Sequence, residues 1–272
     1  MTKSKHTDTD EKWLHQARAG VAITEIGGLI LGEIFRQSDE RIELRIIANT
    51  VARSIRTTSS IVLLSDNQDV QSAWVLHRTL VERLFHLAHL AETKSYSSFE
   101  EWSFFEQVKR QKKPLNDSLF RHRATGPEYQ LTNEQKLRFK EMLKQPPVWR
   151  RPQPEEVAKR MKLKFIYDYA YDYASMLIHP MANDGEMDLM VTQSGDTYRQ
   201  NKQLVLNNSL IVMTLILQEA MNSPLLNWCR VAYDMVEAAR AYINDPTADY
   251  KTPQQKSLAL KEIDGLSGFP DS

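Results

Sequence analysis

Two groups of polar side chains fall at helical spacing and could act together. Gln71, Arg78, Glu82 and His89 lie within about 40° of one another when their stretch is wound as an α-helix. They border an apolar stripe of Val70, Ala73, His77, Val81, Leu84, Ala88 and Ala91. Arg78 and Glu82, at i and i+4, are placed to pair. At the margin of an apolar stripe that pair is expected to be partly buried, and partly buried charges need partners. His77 lies inside the stripe and reads as a hydrogen-bonded core histidine. The second group is Asp168, Tyr171, Asp172, Ser175 and His179, on the side opposite Phe165, Ile166, Tyr169, Ala170, Tyr173, Ala174, Leu177 and Ile178. Pro180 pushes His179 out of the α region, so His179 should end its helix. There the helix dipole favours an imidazolium, and the ring projects at an accessible edge. The chemistry these residues suit is acid–base work on an anionic group. In a site completed by Arg78 and Glu82, Arg78 would hold the anionic group, His179 would act as acid or base, and Ser175 and Tyr171 would orient. The candidate catalytic set is therefore Arg78, Glu82, Ser175 and His179. The same residues would equally serve as a hydrogen-bonded seam between helices.

Other chemistries have weaker support. Arg83 and His89 match the spacing of an Arg-x4–6-His ribonuclease motif, but six residues set them about 120° apart around a helix. Asp168, Asp172 and His179, with Asp184, Glu186 or Asp188, could supply metal ligands. No His-Glu-x-x-His motif accompanies them, so no metal is assigned. Glycine-rich phosphate and dinucleotide loops are absent, and no cofactor is assigned. Cys229, the single cysteine, follows Trp228 in an apolar run and reads as core. Trp149-Arg150-Arg151 joins an aromatic platform to guanidinium groups, a combination that suits a nucleic-acid or nucleotide ligand. Lys109-Arg110-Gln111-Lys112-Lys113 and Arg121-His122-Arg123 add positive charge nearby.

The elements that must position these residues are helices. Apolar residues recur at three- and four-residue spacing, which predicts helices over 9–36, 39–65, 68–93, 97–113, 132–145, 154–179, 197–221 and 224–243. Ser38 is expected to cap the second, and Asp66-Asn67 to break it from the third, giving an antiparallel pair. The fold class expected is all-α: an antiparallel helical bundle over 1–243 with a basic, proline-rich excursion at about 109–164. Residues 244–272 are polar and rich in glycine and proline, and are expected to form a loosely ordered tail. The formal net charge of zero hides an asymmetry. Residues 109–164 carry 16 Lys and Arg against 6 Asp and Glu, while both flanks are acidic. That basic segment either binds nucleic acid or nucleotide, or answers the acidic flanks within the chain or across a homodimer. The helix 197–221 is one candidate dimer interface. The N-terminus has no secretory h-region, and Val21–Phe35 contains Glu25 and Glu33. No membrane partner and a cytoplasmic location are therefore expected.

The string Leu76-His77-Arg78-Thr79-Leu80-Val81-Glu82, followed by Tyr171-x3-Ser175-x3-His179-Pro180, resembles an uncharacterised family of bacterial all-helical proteins. The resemblance spans about residues 40–220. It implies an all-helical fold and a pairing of the two polar groups, and it brings no established activity. Members of that family belong to the accessory genome, which implies a defence- or toxin-type effector. The other reading is a non-enzymatic nucleic-acid- or protein-binding regulatory module.

Overall fold

The structure is a computed structural model that describes residues 4–37, 41–119, 121–122, 126, 130–178, 195–223 and 230–253. It is all-α, with helices packed on helices and no strand among the described residues. The chain divides into two compact units, Leu90–Pro152 and the rest.

The larger unit is a bundle whose first two helices are α1 (Ser4–Gln37) and α2 (Ile42–Asp66). Their approach is close because two glycines face α2. A Cβ on Gly20 would lie 3.1 Å from Val62 Cγ2, and one on Gly27 would lie 3.0 Å from Ile55 Cγ1. Ascending positions on α1 meet descending positions on α2, so the pair is antiparallel. Helix α2 is rich in hydroxyls, yet Ser54 and Thr58 are fully buried in it. Thr50, Ser54, Thr57, Thr58, Ser59 and Ser60 each donate to the carbonyl four residues back, which satisfies these six hydroxyls within the helix.

The break after Asp66 is a Schellman turn. Asp69 N–H donates to Leu64 O at 2.9 Å and Gln68 N–H to Ser65 O at 3.3 Å, with Gln68 left-handed at φ 66°. Asp69 then accepts from Ser72 N–H at 3.0 Å and so caps α3 (Val70–Thr93). Arg83 on α3 donates to Thr57 on α2 at 2.8 Å, tying the second helix of this hairpin back onto the first. The expected cap at Ser38 lies outside the described residues.

Four short pieces follow in this unit: α6 (Pro154–Arg160), α7 (Lys164–Ile166), a π-helical segment (Tyr167–Asp172) and α8 (Tyr173–Met176). The sequence predicts one helix over 154–179, and the structure corrects this. Leu163 N–H reaches Ala158 O at 2.8 Å and Lys162 N–H reaches Lys159 O at 3.1 Å, with Lys162 left-handed at φ 59°. This is a second Schellman stop, built on a lysine where a glycine is usual.

Helices α9 (Gly195–Met221) and α10 (Arg230–Asn244) complete the bundle. They form an antiparallel pair, since Arg240 donates to Thr214, Gln218 to Glu237, and Tyr233 to the Met221 carbonyl. Helix α9 packs on α1, α2 and α10. Its Val205, Leu206, Leu210, Met213, Ile216 and Leu217 are buried. Gln200–Met221 is long and apolar enough to cross a bilayer, but 61% of its most apolar window is buried inside the protein. Helix α9 is thus the central strut of the core.

The smaller unit contains α4 (Tyr96–Asn116) and α5 (Asn133–Lys144). Pro114 does not end α4 as expected. It sits in the last turn, where its missing N–H removes only one helical bond, and the helix continues two residues beyond it. A full capping box starts α5: Thr132 Oγ1 accepts from Gln135 N–H at 3.1 Å, and Gln135 Oε1 accepts from Thr132 N–H at 2.9 Å. Phe105, Val108 and Phe139 form a separate apolar cluster, with Phe104, Leu131 and Met142 packed around it. Arg138 forks onto Glu100, with Nη1 on Oε1 at 3.0 Å and Nη2 on Oε2, and lies 4.3 Å from the Phe104 ring centroid.

Candidate functional site

The margin of the apolar stripe on α3 brings Arg78 and Glu82 out where the π-helical segment passes. The stripe is buried from Val70 through Ala88, with His77 fully enclosed. Arg78 and Glu82 are half-buried, their side chains 26% and 35% exposed, and Nη2 of Arg78 lies 3.3 Å from Glu82 Oε1.

Tyr171 closes the group. Arg78 Nη2 donates to its hydroxyl at 3.0 Å, and the hydroxyl donates to Glu82 Oε1 at 3.0 Å. The guanidinium carbon also stands 4.8 Å from the centre of the Tyr171 ring. Tyr167 stacks behind Tyr171 at 5.3 Å. A π-helical turn holds one residue more than an α-turn, so it re-aims the side chains around it. Here both tyrosines lie within that turn. Burial is the main influence on the Tyr171 phenol and raises its pKa above the ordinary value, with the Arg78 hydrogen bond acting against it. The phenol therefore stays protonated near neutral pH and works as a donor to Glu82.

The contacts of Arg78 run through Nη2. Its Nε is buried and has no hydrogen-bond partner among the described residues. With the side chain 26% exposed, an anion can still approach the guanidinium from its open side, because a guanidinium presents its N–H donors as a planar fork.

Ser175 lies one turn further along. It donates to the Tyr171 carbonyl at 2.7 Å, so its hydroxyl is engaged by its own helix. Beyond it the helix tightens: Leu177 N–H bonds to Ala174 O and Ile178 N–H to Ser175 O, both at 3.3 Å. His179 follows directly and lies outside the described residues, as do Asp184, Glu186, Asp188 and Cys229. Asp168 pairs with Lys164 and Asp172 is exposed. No group of three metal-ligating side chains occurs among the described residues.

Other candidates separate. Arg83 turns to Thr57 on α2, whereas His89 meets Arg160 of α6 at 3.2 Å, so the two do not converge on one site. Burial lowers the Arg83 pKa, Arg53 lowers it further, and Glu82 opposes them. In the smaller unit Trp149 is not an open stacking platform. It is 8% exposed, wedged against Phe99 and Trp102 at 4.9 and 4.8 Å, with its indole N–H on Ser95. A Trp buries more apolar area than any other side chain, so local packing takes it. Arg150 and Arg151 beside it are exposed.

Tyr171, expected to orient a ligand, instead bridges Arg78 and Glu82 through its hydroxyl. The π-turn that carries it is announced by no residue type.

A helical bundle with a half-buried Arg–Tyr–Glu group is a scaffold with a polar site set into its flank. The chain belongs to the family of unknown function DUF5677, whose sequence profile matches residues 44–197 and so takes in both polar groups. No curated protein and no solved structure matches the chain significantly.

Proposed function

We propose that the protein is a defence- or toxin-type effector of the cytoplasm that acts on nucleic acid or nucleotide at the Arg78–Glu82–Tyr171 site. The observation that carries this reading is the guanidinium of Arg78. Its Nη2 is anchored by Glu82 and Tyr171 while the side chain remains 26% exposed. A group so held is pre-oriented for a phosphate, which pairs with guanidinium in two parallel hydrogen bonds. His179, four residues after Ser175 in the sequence, supplies the proton transfer and Ser175 orients. The test is a nucleotide-release assay on RNA and on free nucleotides. His179→Ala should lower the rate by about 100-fold, the usual contribution of a positioned acid or base. Arg78→Ala should raise the ligand concentration required by about tenfold. Full activity in His179→Ala, in the assay or in cells, removes the catalytic role.

A second reading has its own support in the smaller unit, where Arg110, Lys113, Arg121, Arg150 and Arg151 are exposed. In it the protein is a non-enzymatic module that binds nucleic acid by charge. Changing Arg150 and Arg151 together should weaken binding most at low salt, and no binding at low salt overturns it.

A further inference from the structure

The larger unit contains a cavity of 530 Å³ where the N-terminal part of α1 meets α9 and the end of α10. Its size is that of a small-ligand pocket, for which about 300–1,000 Å³ is usual. All of its lining lies outside the residues matched by the family profile. None of it belongs to the Arg78 site.

The lining is dominated by neutral groups that both donate and accept hydrogen bonds. Gln16, Gln203, Asn207 and Asn244 supply four carboxamides, and His15 and Tyr242 supply two rings. The rings meet edge to face at 4.5 Å, which fixes them as one wall. Gln16 and Asn207 are both half-buried, so each keeps part of its side chain accessible at the cavity. The charged residues at the cavity are Glu11, Lys12 and Arg18, of mixed sign, and they do not select a strongly anionic or cationic ligand.

We propose that this cavity binds a nucleobase or nucleoside. A planar heteroaromatic ring with adjacent donor and acceptor on one edge is what a carboxamide recognises in two parallel hydrogen bonds. An aromatic wall takes its face. The proposal does not rest on the Arg78 site. It adds a second, neutral ligand site to the bundle.

The test is ligand-observed saturation-transfer NMR on the full chain with adenosine, guanosine, cytidine and uridine, and with ribose as control. At least one nucleoside should receive saturation on its base protons, and ribose should not compete. Gln16→Leu and Asn207→Leu should each weaken that binding by about tenfold or more. Arg78→Ala should leave it unchanged, which separates this site from the one proposed above. Asn207 is half-buried at the surface of α9, so its variant decides the matter if Gln16→Leu does not fold. Absence of any nucleoside signal at millimolar concentration overturns the proposal. So does binding that survives both substitutions, or that ribose displaces.

Discussion

The hydroxyl of Tyr171 and the imidazole of His77 lie on two sides of α3, and each shows how burial sets the role of a polar group. Tyr171 keeps its proton and passes it as a hydrogen bond to Glu82. His77 has the opposite fate. It is fully buried, and burial alone lowers its pKa to about 3, so it stays neutral in the folded protein. Its tautomer follows from its partner. Ser209 donates its one proton to the Val205 carbonyl at 2.6 Å, so it must accept from His77 Nδ1 at 2.9 Å. His77 Nε2 then has no proton, and it has no partner. Because the folded pKa is below the ordinary value of about 6.5, the unfolded chain binds this proton first as pH falls. The stabilising contribution is full above that value, is lost between pH 6.5 and 3, and changes no further once the folded form also protonates. Asn at this position keeps a donor for Ser209 but does not titrate. Urea melts at pH 7 and pH 5 should therefore show the parent losing about 2 kcal/mol more than His77→Asn. Equal losses would mean that His77 is not enclosed.

At the scale of the element, the α1–α2 contact depends on which glycines face it. Gly28 meets nothing within 4 Å, whereas Gly27 meets Ile55 at 3.0 Å. Alanine at Gly28 should raise stability by about 0.5–1 kcal/mol, because glycine inside a helix costs that much in backbone entropy. Alanine at Gly27 carries the same propensity gain but forces Ile55 aside, so its melting temperature should fall. If both variants melt higher than the parent, the close approach of α1 to α2 is wrong. Helices of this kind were legible in the sequence because a 3.6-residue apolar period survives any tertiary context. The Val70-to-Ala88 stripe and the Asp66-Asn67 break are where the period places them. The Arg78–Glu82 pair was legible for the same reason, as the margin of that stripe. What the period does not carry is a local change of helical pitch. Lys162 adopts a left-handed conformation with no glycine to mark it, and the π-turn at 167–172 shifts Tyr171 without altering composition. Trp149 failed for a different reason: its neighbours Arg150 and Arg151 suggested a surface, but Phe99 and Trp102, some 50 residues earlier in the chain, enclose it.

Across the whole molecule the charges sum to zero, yet the smaller unit is basic, and the two readings of that excess make different demands on its cations. Some of the excess already has work inside the unit. Lys112 lies 4.1 Å above the Phe139 ring, Lys109 pairs with Glu106 at 2.8 Å, and Arg138 forks onto Glu100. These cations cover aromatic faces and neutralise carboxylates, which is what a charge-balancing role requires. Arg150 and Arg151, flanked by Pro147 and Pro152, are exposed on an extended stretch. If they contact phosphates, each releases about 0.7 counterion on binding to a single strand. Measured against a fluorescent single-stranded RNA over a salt series, the double variant Arg150→Gln/Arg151→Gln should flatten the slope of log K against log salt by about 1.4. A parallel shift with unchanged slope would mean the two arginines act through the fold. An unchanged curve would leave the charge-balancing reading in possession of the basic segment, because a neutral chain has no general attraction for a polyanion to fall back on.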